Sequence, residues 1–143
     1  MFVWDERYSV GIPLIDVQHQ KLLEIANSIG EKLRNLEDFT EETFEEIMDI
    51  IDQLFDYTKY HFSQEELLMR HYGYDHVEAH ILEHNDFIAY INGVDYIKIN
   101  NNPKAMLLEL IQFVAKWVFN HIMQTDFLFK DFMLLAMAKE NEN

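Results

Sequence analysis

Residues 41–73 read EETFEEIMDIIDQLFDYTKYHFSQEELLMRHYG, and this stretch decides the fold. Mostly apolar side chains recur along it at intervals of three and four residues, which places them on one face of an α-helix. This stripe comprises Phe44, Ile47, Met48, Ile51, Leu54, Phe55, Thr58, Phe62, Leu68 and Met69. Asp38 with Glu41 predicts a capping box at the helix start, and Gly73 predicts its end. The stretch therefore predicts a long amphipathic helix.

Similar stripes predict three more long helices on either side of this one. The first spans about residues 16–36 and the third about 76–97. The fourth begins at Asn102 and Pro103, a pair typical of a helix N-terminus, and ends near Asn120. The chain has only four Gly and two Pro, which favours long helices over many short strands. We therefore expect an all-α fold, an up-down-up-down four-helix bundle joined by short polar loops.

Two shorter segments flank the predicted bundle, to which we assign residues 16–122. Residues 1–15 fit no helix or clear strand and predict an N-terminal arm packed on the bundle. Residues 123–143 form a C-terminal segment, in which the apolar stretch 127–137 predicts a short extra helix. A length of 143 residues suits one domain with one core, so we expect residues 1–143 to be a single domain.

The charge and composition exclude several classes of protein. The chain has 11 Lys and Arg against 26 Asp and Glu, a formal net charge of −15 at pH 7. This charge repels phosphate backbones and anionic lipids, which predicts no nucleic-acid partner and no membrane binding. The absence of Cys excludes disulfides and thiolate ligands. Because the chain shows no signal-peptide pattern and no apolar run of about 18 residues, we expect a soluble, cytoplasmic protein.

Polar residues interrupt the apolar faces of all four helices. A buried imidazole or carboxylate without a partner is costly, so each of these residues needs a reason to lie inside. A single such histidine is typical of a core residue bonded to a backbone carbonyl, but independent core histidines are not expected on four separate helices. The coincidence predicts a metal site. Its candidate ligands are His19, His61, Glu65, His80, His84, His121 and Asp126.

The spacing of these residues also suits metal binding. In the segments HFSQE (61–65) and HILEH (80–84), the first and last residues are four apart and project from one helix face. His121 and Asp126 are five apart, about 140° around a regular helix. They can converge only if the helix ends, tightens or bulges between them, so the metal hypothesis predicts a local break there.

The size of the donor set indicates more than one ion. Five histidines and two carboxylates exceed what one ion needs, so two ions are more natural. Nitrogen and oxygen donors without thiolate suit iron, manganese or zinc, and the ligand types alone do not choose among these metals.

The chain resembles the hemerythrin family, in particular its stand-alone bacterial members, over nearly its whole length up to about Phe132. The matching parts are Trp4, IDVQH ending at His19, HFSQEELLM (61–69), Tyr74, HILEHNDF (80–87) and WVFNHIMQTD (117–126). The resemblance implies a four-helix bundle with a non-haem di-iron centre in its core. It also implies a three-histidine position (His80, His84, His121), a two-histidine position (His19, His61) and two bridging carboxylates (Glu65, Asp126).

The same resemblance implies an oxo or hydroxo group as a third bridge between two iron ions. One coordination position then stays open, on the iron with two histidines, and an open position lets a metal centre bind an external ligand. In the family this ligand is dioxygen, bound reversibly, which implies an oxygen carrier, store, scavenger or delivery protein. Trp117 and Val118 match the positions that line the oxygen pocket, although Leu is common in the family where this chain has Val118.

Two other functions use the same residues. One is a di-iron oxidase or peroxidase, and the other is an iron-handling or nitric oxide-binding protein. Ferritin-like di-iron sites carry paired Glu-x-x-His motifs, and the chain contains none. Five neutral imidazoles favour ferrous iron and reversible binding, so we do not expect an enzyme. His76, one turn before His80, and His71 match no ligand position and are predicted to lie on the surface.

Overall fold

The computed structural model describes residues 2–141, and within this range it contains helices and no strand. Helix α1 packs against α2 and α5, and α2 packs against α3, so the four long helices form the predicted all-α bundle. None of the described helices is long and apolar enough to cross a lipid bilayer. The α-helices are α1 (Pro13–Arg34), α2 (Glu41–Tyr72), α3 (Val77–Asn92), α4 (Tyr96–Asn101), α5 (Pro103–Asn120) and α6 (Phe127–Asn141). The arm also contains a short 3-10 helix (Glu6–Tyr8), where no helix was predicted, because the Asp5 carboxylate caps it by accepting from the Arg7 N–H.

The ends of the predicted bundle differ from those in the structure. Helix α1 begins at Pro13, before the predicted boundary between residues 15 and 16, because proline suits the first turn of a helix. The predicted boundary after residue 122 falls inside a continuous helical stretch, in which a π-helical turn (His121–Asp126) joins α5 to α6. The extra C-terminal helix thus prolongs the fourth bundle helix. Residue 1 of the predicted arm and residues 142–143 of the C-terminal segment lie outside the described residues.

The cap of α2 is Thr40, so the predicted capping box at Asp38 is wrong. The side-chain oxygen of Thr40 accepts a hydrogen bond from the backbone N–H of Thr43 at 3.2 Å. Asp38 contributes only its backbone carbonyl, which accepts from the Thr43 hydroxyl. Asp and Thr are both favoured at helix N-termini, and here the residue nearer to the first turn is used.

The predicted third helix is divided in two. Helix α3 ends at Asn92, and Gly93 follows as its C-terminal cap. A new N-terminus forms at Asp95, whose carboxylate accepts from the backbone N–H groups of Ile97 and Lys98 and so begins α4. Glycine is a poor residue for a helix interior, so α3 ends before Gly93, and the aspartate cap that follows it stabilises the N-terminus of a new helix. The next helix, α5, begins at Asn102 and Pro103 as predicted.

Gly73 ends α2 as predicted, in the left-handed conformation with φ of 73°. No atom lies within 4 Å of the place where its Cβ would be, so the backbone conformation alone opposes a side chain. We expect Gly73→Ala to lower the free energy of unfolding by about 1 kcal/mol in urea denaturation. The control is Gly30→Ala in the interior of α1, which should raise this free energy by about 0.5–1 kcal/mol. A loss of stability in both variants would contradict this explanation.

The N-terminal arm is fixed on the bundle by hydrogen bonds and aromatic contacts. The backbone N–H of Phe2 donates to Oδ1 of Asn27 at 2.8 Å, and Nδ2 of Asn27 donates to the Phe2 carbonyl at 2.8 Å. The ring of Tyr8 meets that of Phe119 with 5.4 Å between centroids. The arm therefore covers the interface of α1 and α5.

Two apolar clusters fill the interior, one along the bundle and one where the arm, α2 and α6 meet. The predicted ligands lie between them. On α1, for example, His19 stands between Ile15 of one cluster and Leu22 of the other. The polar residues are therefore enclosed by apolar side chains in both directions along the helices, which excludes water from their surroundings.

Candidate metal centre

All seven candidate ligand residues come together in the middle of the bundle. Each is at most 3% exposed, and together they come from α1, α2, α3 and the π-helical turn. Their ligand atoms form two groups, within each of which all atoms lie within 4.8 Å of one another. Both groups contain Glu65 and Asp126. The first adds three histidines and the second adds two, and this division coincides with the one that the family resemblance implies.

Each carboxylate turns one oxygen towards each group. Oε1 of Glu65 lies 2.6 Å from Nε2 of His80, and Oε2 lies 3.2 Å from Nε2 of His61. Oδ1 of Asp126 lies 3.1 Å from Nε2 of His80, and Oδ2 lies 3.1 Å from Nε2 of His19. This geometry suits two carboxylates that bridge a pair of metal ions.

The π-helical turn aligns His121 with Asp126. In a regular α-helix a separation of five residues turns the second side chain about 140° away from the first. The wider π turn, with hydrogen bonds between residues five apart, places them on one side of the helix. Nε2 of His121 lies 3.1 Å from Oδ1 of Asp126. The local break predicted from this spacing is confirmed, and it is a bulge.

Several buried polar atoms of the cluster have no hydrogen-bond partner among the described residues. They include both ring nitrogens of His19, Nδ1 of His80, Oε2 of Glu65 and both carboxylate oxygens of Asp126. An unpaired buried group of this kind costs about 1–3 kcal/mol or more. Nε2 of His19 is near Oδ2 of Asp126, but the two atoms are not oriented for a hydrogen bond. Among these atoms, Nε2 of His19 and the carboxylate oxygens face one another inside the two groups of ligand atoms, so the residues fit metal ions.

The carboxylates and imidazoles perturb each other's pKa values strongly. Burial lowers the pKa of His19, but contact with Asp126 and Glu65 outweighs it and raises this pKa to about 9. The balance is the same at His80, whose pKa also rises to about 9. Burial raises the pKa of Glu65, but close contact with His121, His19 and His61 outweighs burial and brings this pKa well below its usual value. The carboxylates are therefore ionised, as metal ligands must be, and metal binding displaces protons from His19 and His80.

Three further side chains, which were not among the predicted site residues, hold ligand histidines from outside the cluster. In each case a ring Nδ1 that faces away from the cluster donates a hydrogen bond, which fixes the tautomer and the ring orientation. Each acceptor is adjacent in sequence to a predicted ligand, and this adjacency is the feature of the sequence from which these residues could have been predicted. The pairs are His61 with Gln18 (2.6 Å), His84 with Glu66 (2.8 Å) and His121 with Glu83 (3.2 Å). The hydrogen bond from His121 lowers the pKa of Glu83.

The other predicted positions lie as follows. The indole of Trp117 stacks on the His121 ring, with centroids 4.4 Å apart and planes 12° from parallel. Val118 is buried in the apolar cluster of the bundle. His71 and His76 are exposed, as predicted, and neither belongs to the two groups of ligand atoms.

A four-helix bundle that encloses a cluster of histidines and carboxylates defines a metal-binding helical protein. Residues 10–133 match the family described as "Hemerythrin HHE cation binding domain". The bacteriohemerythrin of Clostridium acetobutylicum is 37% identical over 126 residues, which cover 88% of this chain and 96% of that protein. The chain belongs to the hemerythrin family.

Other relatives and a solved structure agree with this assignment. The bacteriohemerythrin of Pseudomonas aeruginosa (strain PAO1) is 30% identical over 96% of this chain and 84% of its own. The myohemerythrin of Theromyzon tessulatum is 27% identical over 90% and 91%. The crystal structure of wild-type hemerythrin superposes with a TM-score of 0.76 at 25% identity, covering 93% of this chain and 98% of the other.

Proposed function

We propose that this protein binds dioxygen reversibly at a non-haem di-iron centre, as an oxygen carrier, store, scavenger or delivery protein. The observation that carries the proposal is the sharing of Glu65 and Asp126 by a three-histidine and a two-histidine group. The seven residues would hold two iron ions, with an oxo or hydroxo group as a further bridge. Membership of the hemerythrin family supports iron as the metal.

The unequal number of histidines leaves a free coordination position for dioxygen. With the carboxylates shared equally, the two-histidine position has one imidazole fewer than its neighbour and so one more free coordination position. An iron pair held by these residues in the ferrous state would supply the two electrons for the reversible binding of dioxygen. The two-histidine position is therefore the proposed site of dioxygen.

Apolar side chains exclude water from the two-histidine position. An apolar crevice between α1 and α5, too narrow for a water molecule, is lined in part by Leu23, Val118 and Phe2. Leu23 lies one turn after His19, so the crevice approaches the two-histidine position. Trp117 covers the His121 ring on the neighbouring position. Exclusion of water limits proton delivery to the site and so protects reversible binding.

The donor set favours oxygen binding over enzymatic oxidation. Five neutral imidazoles with two carboxylates stabilise ferrous iron better than the carboxylate-rich sites of di-iron oxidases do, so we propose that the chain is not an enzyme. The alternatives that use the same residues are an oxidase or peroxidase, which would not release oxygen unchanged, and an iron- or nitric oxide-handling protein. A cytoplasmic location and the lack of a nucleic-acid partner stay predictions from composition and charge.

The decisive experiment is a visible absorption spectrum of anaerobically reduced, iron-loaded protein before oxygen, after oxygen and after its removal by sparging. We expect a charge-transfer band that develops with oxygen and disappears when oxygen is removed. Irreversible conversion to a diferric spectrum would contradict reversible binding and favour an oxidase or a metal-handling protein. Failure to load iron under any condition would overturn the metal assignment.

Val118 offers a test of the oxygen pocket. We expect Val118→Leu to slow autoxidation severalfold, because the larger side chain fills more of the crevice beside the two-histidine position. Fewer fluctuations of the surrounding side chains then admit water and protons. The measurement is the rate at which the oxygen-dependent band is lost in air. Val17→Leu is the matched control, since Val17 points outwards from α1 and is 61% exposed. Equal rates for Val118→Leu and the wild type would refute this role.

A further inference from the structure

The three-histidine position is backed by two carboxylates that are not themselves candidate metal ligands. Nδ1 of His84 donates to Oε2 of Glu66 at 2.8 Å, and Nδ1 of His121 donates to Oε1 of Glu83 at 3.2 Å. Both acceptors are partly exposed, with 26% and 44% of their side-chain surface accessible. They therefore place negative charge on the outer side of this position at the rim of the cluster.

The two-histidine position lacks such a charge among the described residues. Nδ1 of His61 donates to the neutral amide oxygen of Gln18 at 2.6 Å. Nδ1 of His19 is buried and has no hydrogen-bond partner in the described part of the chain. The two positions thus differ in the charge behind their histidines as well as in the number of histidines.

The Glu83 carboxylate is held in place by the π-helical turn. The hydroxyl of Thr125 lies 2.8 and 2.7 Å from its two oxygens. Thr125 stands one residue before Asp126, within the same turn that contains His121. Glu83 therefore joins α3 to both ends of the turn, and a half-exposed side chain that would otherwise be mobile keeps one orientation.

A charge behind a metal-bound imidazole changes the relative stability of the oxidation states of the metal ion. A carboxylate that accepts the second N–H of a ligand histidine raises the basicity of the ring and fixes its orientation. A more basic ligand stabilises the ion with the higher positive charge. A neutral amide fixes the ring equally well but provides less of this stabilisation.

We propose that Glu66 and Glu83 are positioning residues that make the two iron positions electronically unequal, favouring ferric iron in the three-histidine position. The proposal rests on the di-iron function proposed above. When the diferrous pair transfers one electron to an outer-sphere oxidant such as ferricyanide, this electron leaves the three-histidine position first. Ferricyanide is reduced to ferrocyanide, and no bond to the chain is formed or broken. The two-histidine position, which is the proposed site of dioxygen, would keep its iron ferrous longest.

The test is a spectroelectrochemical titration of iron-loaded Glu66→Gln, Glu83→Gln and Gln18→Glu. Glutamine still accepts the N–H of histidine, so we expect both Gln variants to retain two irons and to raise the potential of the first oxidation. Gln18→Glu places a charge behind His61 and should lower the potential of the second oxidation. Mössbauer spectra of the half-oxidised wild type should show ferric iron in the three-histidine position. Glu78→Gln, an exposed carboxylate on α3, is the control and should leave both potentials unchanged.

The outcomes separate this proposal from the proposed function. Unchanged potentials in fully loaded variants, with reversible oxygen binding by the wild type, overturn the inference and leave the function intact. Loss of iron without a change of potential shows a purely structural role and also overturns it. If Glu83→Gln does not fold, Glu66→Gln and Gln18→Glu decide the question, since they lie on different helices. Failure of the wild type to load iron overturns both proposals.

Discussion

Glu65→Gln is expected to reduce the bound iron from two ions per chain to fewer than one and to abolish the oxygen-dependent band. Glu65 is fully buried, and its oxygens lie within 3.8 Å of Nε2 of all five candidate ligand histidines. Glutamine has nearly the same shape, but its amide nitrogen cannot bind a cation and its charge is zero. The bridge between the two positions is therefore broken: one position loses a ligand atom, the other keeps only a neutral amide oxygen, and both lose half of their carboxylate charge. Iron per chain is measured by elemental analysis after anaerobic loading and desalting.

The same variant tests whether the cluster exists for metal binding or for folding. When the Glu65 charge is removed, the neighbouring imidazoles can release their protons and become neutral, so no unpaired charge has to stay buried. Metal-free Glu65→Gln should therefore fold with its helical circular dichroism intact. Glu45→Gln is the matched control, because it changes an exposed glutamate on the same helix and should retain two irons. Retention of two irons by Glu65→Gln would contradict the bridging role.

The sequence was sufficient to predict the helices and the seven clustered residues because both depend on local periodicity. A histidine at a position such as His19, on an apolar stripe, must face the interior wherever the helix packs. The separation of His121 and Asp126 even predicted a break in the helix, because regular geometry cannot align residues five apart. These inferences need no knowledge of how far apart the helices lie.

Features that depend on distances between helices were not predictable in this way. Whether Glu83 reaches His121 depends on how closely α3 approaches the π-helical turn, and one sequence does not contain that distance. Competition between local signals was a second source of error. Asp38 and Thr40 are both good caps, and the choice between them rests on small differences in backbone geometry. Gly93 alone is compatible with a continuous helix, and the division of the predicted third helix also depends on Asp95, which caps the N-terminus of α4.

The unequal histidine count predicts that the two iron positions can be separated by mutation. We expect His19→Ala to bind one iron per chain and to lose reversible oxygen binding. The two-histidine position would keep a single imidazole, whereas the three-histidine position keeps all of its own. The imidazole of His19 faces Oδ2 of Asp126 and Oε2 of Glu65, the two oxygens turned towards this position. Elemental analysis and Mössbauer spectroscopy give the number of irons and their environments.

The complementary variant His84→Ala distinguishes this explanation from general damage to the cluster. It leaves two histidines in each position, so we expect weaker binding of iron at the three-histidine position and at least partial retention of the other iron. His71→Ala changes an exposed histidine and should behave as the wild type. If His19→Ala kept both irons and bound oxygen reversibly, dioxygen could not depend on the two-histidine position. If His19→Ala and His84→Ala lost iron identically, the two positions would act as one unit, and the unequal histidine count would not determine where dioxygen binds.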